Sequence, residues 1–240
     1  MLRKLKGDIS QIAYGFLISR TAQAVRRDRL TYLKTKKLLH IERELARLWK
    51  DDIKGDFVEF GVALGGSGIL LAKAMPQVSR FHGFDVFGMI PPPTNKKDDE
   101  KSRKRYEVIK SGQSRGLGGD TYYGYRAGLY DCVCQSFAEH GLTVDQDRIS
   151  LHEGLFNQTW PTVAERIAAI AFAHVDCDWY DPVKYCLNAV ADKMAIGGTI
   201  VLDDYNDYGG CRTATDEFLG ERQDFIVSRN FGNLIIRRSH

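Results

Sequence analysis

From residue 56 onward, short β-rich runs alternate with helical segments, and this alternation constrains the fold more than any other feature of the chain. Strands are predicted at residues 56–62, 80–86, 148–155, 170–178 and 198–204, and helices at 67–75, 124–140, 161–167 and 182–195. Strands that alternate with helices favour a parallel sheet with right-handed crossovers and helices on both faces. The sequence therefore predicts an α/β fold with one large core.

The end of the chain follows a different pattern. The runs "DFIVSRN" and "GNLIIRRS" are alternating strands separated by a tight turn at Asn230-Phe231-Gly232, so they predict an antiparallel hairpin. Five parallel strands followed by such a hairpin are typical of class I methyltransferases, whose Rossmann-like sheet has seven strands. We expect this fold.

The first fifty residues are helical in pattern and basic, with thirteen Lys or Arg against four Asp or Glu. Helices are predicted over residues 8–25 and 31–50, and we interpret residues 1–50 as an N-terminal helical extension. An apolar stripe flanked by cations in residues 1–30 is compatible with contact to an anionic membrane or with packing in a homo-oligomer. A solvated helical face explains the charges equally well, and we expect no nucleic-acid partner.

The hydropathy pattern and the cysteines of the chain indicate the cellular compartment in which the protein is expected. No stretch approaches the roughly 18 apolar residues of a membrane span, and the first residues lack the apolar core of a signal peptide. The five cysteines are odd in number, and the Cys132-x-Cys134 spacing fits no zinc signature. We expect reduced thiols in a cytoplasmic protein.

The run "VEFGVALGGSG" follows the first predicted strand and opens a helix. It lacks the dinucleotide fingerprint but contains acid-x-Gly-x-x-x-Gly, formed by Glu59, Gly61 and Gly65, which suits S-adenosylmethionine. Asp85 ends the second strand, where an acid can accept hydrogen bonds from two ribose hydroxyls. A tight turn without a ligand and a plain cap at Asp85 are the alternatives.

Carboxylates end two further strands that should be neighbours. Asp176 follows the fourth predicted strand, and Asp203 and Asp204 end the fifth. Three converging carboxylates without a nearby Lys or Arg in sequence would repel one another, and a hard divalent cation such as Mg²⁺ relieves this. Helix capping and shared protons are alternatives. Asp181-Pro182 has the pattern of a helix N-cap and first helical residue, so we exclude Asp181 from the site. We interpret Asp178 as structural or as lying behind the metal ligands.

The motifs "GDFVEFGVALGGSG", "FDVFGMIPPP", "HEGLFNQTWP", "DCDWY" and "GGTIVLDDY" together resemble the macrocin O-methyltransferase family, from about residue 55 to the C-terminus. Antibiotic-tailoring members of that family methylate hydroxyls on macrolide sugars and on the noviose of novobiocin. Phe60, Val86 and Gly88 depart from the family's usual Cys, Ser and Glu, and the polar, glycine-rich segment 91–123 does not align. We interpret that segment as a lid insertion that would set acceptor specificity.

The resemblance implies a role for each motif position. Asp176 would be both metal ligand and general base, and Asp203 and Asp204 would complete the metal site. The residues that would contact S-adenosylmethionine are Glu59, Gly61, Ser67 and Asp85, with Gly154 and its neighbours lining the adenine.

We therefore expect residues 51–240 to form an S-adenosylmethionine- and Mg²⁺-dependent O-methyltransferase domain that acts on a hydroxyl of a sugar, a glycosylated small molecule or a glycan. Two adjacent hydroxyls of the acceptor would chelate the ion, and Tyr122, Tyr123 and Tyr125 could stack on the sugar. One alternative is a metal-dependent methyltransferase of catechols, which would want an apolar slot. Another alternative is a non-catalytic cofactor-binding module. The presence of acids at all three predicted metal positions, Asp176, Asp203 and Asp204, argues against it. A dehydrogenase is the least favoured alternative, because the dinucleotide fingerprint is not met and the chain ends in a hairpin.

Overall fold

The computed structural model describes residues 14–240 and contains one seven-stranded sheet. The strands are β1 (Asp56–Phe60), β2 (Phe81–Asp85), β3 (Ile149–Glu153), β4 (Ile170–Val175), β5 (Met194–Leu202), β6 (Phe225–Phe231) and β7 (Asn233–Arg238). The helices are α1 (Arg20–Arg27), α2 (Thr35–Lys50), α3 (Gly66–Ala74), α4 (Glu100–Lys110), α5 (Leu129–Glu139), α6 (Phe156–Ala164), α7 (Tyr180–Ala191) and α8 (Gly209–Glu221).

The strand order is β3-β2-β1-β4-β5-β7-β6. Strands β1 to β5 are parallel, and β7 pairs antiparallel with both β5 and β6. The predicted parallel sheet and terminal hairpin are thus confirmed. The order reverses between β1 and β4, and in open α/β sheets ligands bind beyond the carboxyl ends of the strands at such a switch point.

Side chains alternate between the two faces of the sheet and build two apolar clusters. Phe57 of β1 packs on one face with residues of α1, α2, α3 and α5. Val58 and Phe60 of the same strand pack on the other face with residues of α6, α7 and α8. The central strands are covered on both sides, as a parallel sheet requires.

The basic N-terminal segment takes part in this packing where the structure describes it. Ala22 and Val25 of α1 and Leu38 and Ile41 of α2 are buried in the first cluster. The predicted helix over residues 8–25 is described only from residue 14, and there it is interrupted at residues 16–19, because a new helix begins at Arg20 with Ser19 as its N-cap. The contact surface predicted for residues 1–30 lies partly outside the described residues. The division of the chain at residue 50 stays a prediction.

The predicted lid, residues 91–123, contains a helix that its polar composition concealed. Helix α4 buries only Ser102 and Ile109, so it lacks the broad apolar stripe that predicts an amphipathic helix. Two acids fasten the start of the segment. Asp98 accepts a hydrogen bond from the backbone N–H of Tyr180 at 2.8 Å, and Asp99 accepts one from Gly209 at 2.8 Å. The segment is therefore tied to the N-termini of α7 and α8.

Several predicted helix starts were wrong. The helix predicted from residue 124 begins at Leu129, and the one predicted from residue 31 begins at Thr35. The helix expected to begin at Pro161 begins five residues earlier, at Phe156, and Pro161 lies inside it. The helix expected to have Asp181 as its N-cap has Trp179 there, so Asp181 lies in the first turn. Within residues 14–240, no helix is long and apolar enough to cross a bilayer. All five cysteines are free thiols.

A buried ion network joins α2 to the sheet. Glu44, which is 4% exposed, accepts hydrogen bonds from Arg237 of β7 at 2.7 and 3.0 Å, from Arg47 at 3.1 Å and from Thr199 of β5 at 3.2 Å. Burial raises the pKa of Glu44, whereas the hydrogen bonds and charges of Arg237 and Arg47 lower it. The lowering outweighs the effect of burial, so the pKa of Glu44 lies below its usual value. The ionised form is therefore the stabilising one.

We predict that Glu44→Gln lowers the free energy of unfolding by about 3 kcal/mol, because two arginines then lose the charge of their buried partner. Since the folded-state pKa is depressed, this contribution is present above the unfolded pKa and is lost as pH falls through the folded value. Urea unfolding at neutral and acidic pH measures it. The exposed Glu165→Gln is the control, and an equally small effect of both substitutions would contradict the prediction.

Candidate active site

One large cavity, about 790 Å³, opens at the carboxyl ends of β1, β4 and β5, beside the switch point of the sheet. It also touches the loop before α2, the lid and the start of α7. Its acidic lining residues come mostly from these strand ends and from the start of α7: Asp85, Asp176, Asp178, Asp181, Asp203, Asp204 and Asp207. Four cations line it as well: Lys34, Lys37, Lys101 and Arg105.

The structure brings the three predicted metal ligands together. Asp176, Asp203 and Asp204 each offer one carboxylate oxygen, and these three atoms lie within 4.8 Å of one another. The parallel pairing of β4 and β5 places them there, since the backbone N–H of Asp176 bonds to Phe60 and that of Asp203 to Val175. Adjacent strands that end at one level deliver their last side chains to one point.

Burial and repulsion perturb these acids strongly. Burial and the charge of Asp203 raise the pKa of Asp176 to about 7. Burial and the charges of Asp178, Asp176 and Asp203 raise the pKa of Asp204 well above its usual value. The shift arises because the groups cannot all ionise at such separations without a compensating cation.

A lysine that is distant in sequence supplies part of that compensation. Lys37 of α2 donates to Asp203 Oδ2 at 2.7 Å, to the Asp203 carbonyl at 3.0 Å and to Asp207 Oδ2 at 3.0 Å. The other oxygen of Asp203, Oδ1, is buried and has no hydrogen-bond partner among the described residues. Lys37 thus satisfies one oxygen and leaves the second one open.

Two further acids line the cavity. Asp178 has a left-handed backbone with φ 58°, donates its N–H to Asp204 Oδ2 at 3.3 Å and has its pKa raised by burial to about 6. Asp181 accepts a hydrogen bond from Asn95 of the lid at 2.8 Å. Exclusion of Asp181 from the site rested on the N-cap pattern, which the structure contradicts.

The glycine-rich turn approaches the acids closely. A Cβ on Gly61, whose φ is +94°, would lie 1.9 Å from the carbonyl oxygen of Asp176, so only glycine lets the ends of β1 and β4 approach this closely. Asp85 lines the cavity and accepts hydrogen bonds from the backbone N–H groups of Ala63 at 2.8 Å and Phe87 at 2.7 Å. Its carboxylate therefore also holds the turn in shape.

The remaining predicted cofactor residues are not among the residues that line the cavity: Glu59, Gly65, Ser67 and Gly154. Glu59 is fully buried and contacts His174 Nδ1 at 2.9 Å. Gly65 is the N-cap of α3 with φ 88°, and the N–H of Gly154 bonds to the carbonyl of Asp85 at 2.9 Å. Their roles in cofactor binding stay predictions.

Aromatic side chains form much of the remaining wall. Tyr122 and Tyr123 line the cavity, with ring centroids 4.5 Å apart, and Tyr123 meets Tyr32 edge-on at 5.9 Å. Tyr125, in contrast, bonds to the carbonyl of Ile109 and the N–H of Ser114 and does not line the cavity. Residues 1–50, which we predicted to be an N-terminal extension, also contribute to the cavity lining. The lining residues from this segment are Tyr32, Leu33, Lys34 and Lys37.

Comparisons with known proteins agree with this architecture. The family model described as macrocin O-methyltransferase (TylF) matches residues 20–116 and 122–226, which extends further toward the N-terminus than the motifs did. A search of curated proteins gives no significant match.

Solved structures share the fold at low identity. The O-methyltransferase NovP has a TM-score of 0.71 at 22% sequence identity, and the match covers 88% of this chain and 83% of the NovP chain. CalS11, a calicheamicin methyltransferase, has a TM-score of 0.58 at 19% identity and covers 90% and 91%. TomG from Streptomyces achromogenes, an O-methyltransferase involved in tomaymycin synthesis and solved with SAM, has a TM-score of 0.56 at 16% identity and covers 92% and 88%. These are class I methyltransferase folds, and with the family model spanning most of its length the chain belongs to the macrocin O-methyltransferase family.

Proposed function

We propose that this enzyme transfers the methyl group of S-adenosylmethionine to a hydroxyl of a sugar or glycosylated acceptor, with Asp176 as general base and a divalent cation held by Asp176, Asp203 and Asp204. The observation that carries the proposal is the meeting of these three carboxylates within 4.8 Å in a cavity that also borders the glycine-rich turn. Membership in an O-methyltransferase family and a cluster of carboxylates in the cavity both support transfer of a methyl group to a hydroxyl.

The donor set fits a hard divalent cation. All three ligands are carboxylates, the ligand type that Mg²⁺ favours, and Asp203 Oδ1 is buried without a partner among the described residues. A bound cation would lower the pKa of an acceptor hydroxyl, as metals do for water. Lys37 would keep its contact with the opposite oxygen of Asp203.

Asp176 suits the role of proton acceptor. In the cation-free site, burial and the charge of Asp203 raise the pKa of Asp176 to about 7, and a bound cation would lower it and keep Asp176 ionised, the form that can accept a proton. The close approach of Gly61 to the backbone of Asp176 supports this role, because it holds Asp176 beside the glycine-rich turn where the cofactor would bind. Because the sulfonium charge disappears in methyl transfer, positioning of the hydroxyl and exclusion of water would supply most of the rate enhancement.

The acceptor side of the cavity permits two classes of hydroxyl. Tyrosine rings with polar edges, such as Tyr32, Tyr122 and Tyr123, suit stacking on a sugar. The same wall includes Pro91 and Trp179, so it is less polar than the lid sequence suggested and also suits a catechol ring. A methyl-transfer screen with labelled cofactor against glycosides, nucleotide sugars and catechols separates the two.

The metal assignment predicts that a chelator abolishes methyl transfer and that Mg²⁺ restores it, while S-adenosylhomocysteine still binds. Asp203→Asn should be partly rescued by high Mg²⁺, because Lys37 keeps its contacts with the Asp203 carbonyl and with Asp207. Asp176→Asn should not be rescued, because the proton acceptor is gone. Initial rates across a Mg²⁺ series measure both.

Asp207→Asn is the matched control, since Asp207 contacts Lys37 but is not one of the three clustered ligands. Its Mg²⁺ requirement should equal that of the unsubstituted enzyme. Full activity in excess chelator, or an active Asp176→Asn enzyme, would contradict the mechanism.

The cofactor assignment predicts that Asp85→Ala weakens S-adenosylhomocysteine binding by about 1–3 kcal/mol, the cost of hydrogen bonds left unmade. Two effects act together, because the ribose contact is lost and the N–H groups of Ala63 and Phe87 lose their acceptor. Calorimetry measures the loss against Asp131→Ala, an exposed acid on α5. Unchanged affinity in Asp85→Ala would rule out this placement of the ribose.

A further inference from the structure

One face of the lid helix α4 is cationic and turned toward the active-site cavity. Lys101, Arg105 and Ile109 are spaced four residues apart, so they share a face of the helix, and all three line the cavity. Arg103 and Lys104 of the same helix are exposed and do not line it. Two positive charges therefore face a cavity whose floor is acidic.

Arg105 has no polar partner within the described part of the chain. Its guanidinium lies over the ring of Tyr122, 5.6 Å from the centroid, and the side chain is only partly exposed. A guanidinium carries five N–H donors in a fixed planar arrangement, and partial burial without an acceptor is unfavourable. A stacked, oriented guanidinium of this kind is suited to an anion from outside the protein.

A second cation, Lys34 at the N-cap of α2, lines the same cavity and is exposed. Its side chain makes no hydrogen bond or ion pair with any described residue, and only its backbone carbonyl accepts one, from Leu38. A row of aromatic contacts runs from Arg105 toward the N-terminal segment, because Tyr122 under Arg105 packs on Tyr123 and Tyr123 packs on Tyr32, two residues before Lys34. Lys34 and Arg105 therefore line the same cavity.

Direct ion pairing with the acids does not account for these two residues, although the charge of Arg105 opposes the rise in the pKa of Asp178. Asp203 already has Lys37 at 2.7 Å, and Lys101 is engaged with the carbonyl of Asp207. Arg105 forms an ion pair with none of the described carboxylates although several line the same cavity. Lys37 and Lys101 are thus committed to the protein, and Arg105 and Lys34 remain for a ligand.

Building on the proposed function, we propose that the acceptor carries an anionic group, a carboxylate or a phosphate, which Arg105 and Lys34 bind while its hydroxyl reaches Asp176. This narrows the acceptor class from sugars in general to acidic or phosphorylated sugars. Charge-assisted hydrogen bonds to a planar guanidinium would fix the orientation of the acceptor as well as its affinity.

The test is a calorimetric titration of the full chain, loaded with S-adenosylhomocysteine and Mg²⁺, with glucose 1-phosphate, glucuronate and glucose. At least one of the two anionic sugars should bind about tenfold or more tightly than glucose, the scale of one charge-assisted hydrogen bond. The arm that binds identifies phosphate or carboxylate as the group recognised.

Arg105→Gln should remove that preference, Lys34→Gln should reduce it, and Lys104→Gln should leave it unchanged. Lys104 is the matched control, because its substitution removes the same charge from the next position of α4 on an exposed face. S-adenosylhomocysteine binding by each variant checks folding and tests the proposed function separately. Anionic sugars that bind no better than glucose, or a preference that survives Arg105→Gln, would overturn the proposal even where cofactor binding is intact.

Discussion

The burial of several carboxylates at one point is the constraint on which the rest of the site depends. Asp176, Asp203 and Asp204 meet at the ends of β4 and β5, where low solvent access makes like-charge repulsion expensive. A folded chain tolerates such a cluster only if protons, cations or hydrogen bonds compensate it. Here the raised pKa of Asp176 and the ion pair of Lys37 with Asp203 provide part of that compensation, and one oxygen of Asp203 is left for a ligand.

This constraint explains why α2 and the loop before it contribute to the candidate site. Lys37 contacts Asp203 because α2 packs on β5 and β7. This packing includes the ion pair of Glu44 with Arg237 and the contact of His40 with Asn233 at 3.0 Å. The loop before α2 then carries Leu33 and Lys34 into the cavity wall. Packing that stabilises the fold therefore also sets the electrostatics of the site, and the family match that begins at residue 20 is consistent with this.

The sheet and its acids could be predicted from sequence because their signals are local. Alternating strands and helices specify the parallel sheet, and a carboxylate directly after a buried strand must lie at its carboxyl edge. The role of Lys37 could not be predicted in this way, since 166 residues separate it from Asp203 and its helix carries many cations of the same pattern. Helix α4 was missed because it buries only two residues, and so its cationic face toward the cavity was missed as well.

The central claim is that the three clustered carboxylates form one divalent-cation site. Calorimetric titration of the full chain with Mn²⁺, in the presence of S-adenosylhomocysteine, measures this without any acceptor. We predict one ion bound per chain, and loss of that binding in Asp204→Asn, with cofactor affinity preserved. A chain that binds S-adenosylhomocysteine but no Mn²⁺, or binds Mn²⁺ equally after Asp204→Asn, would contradict the account.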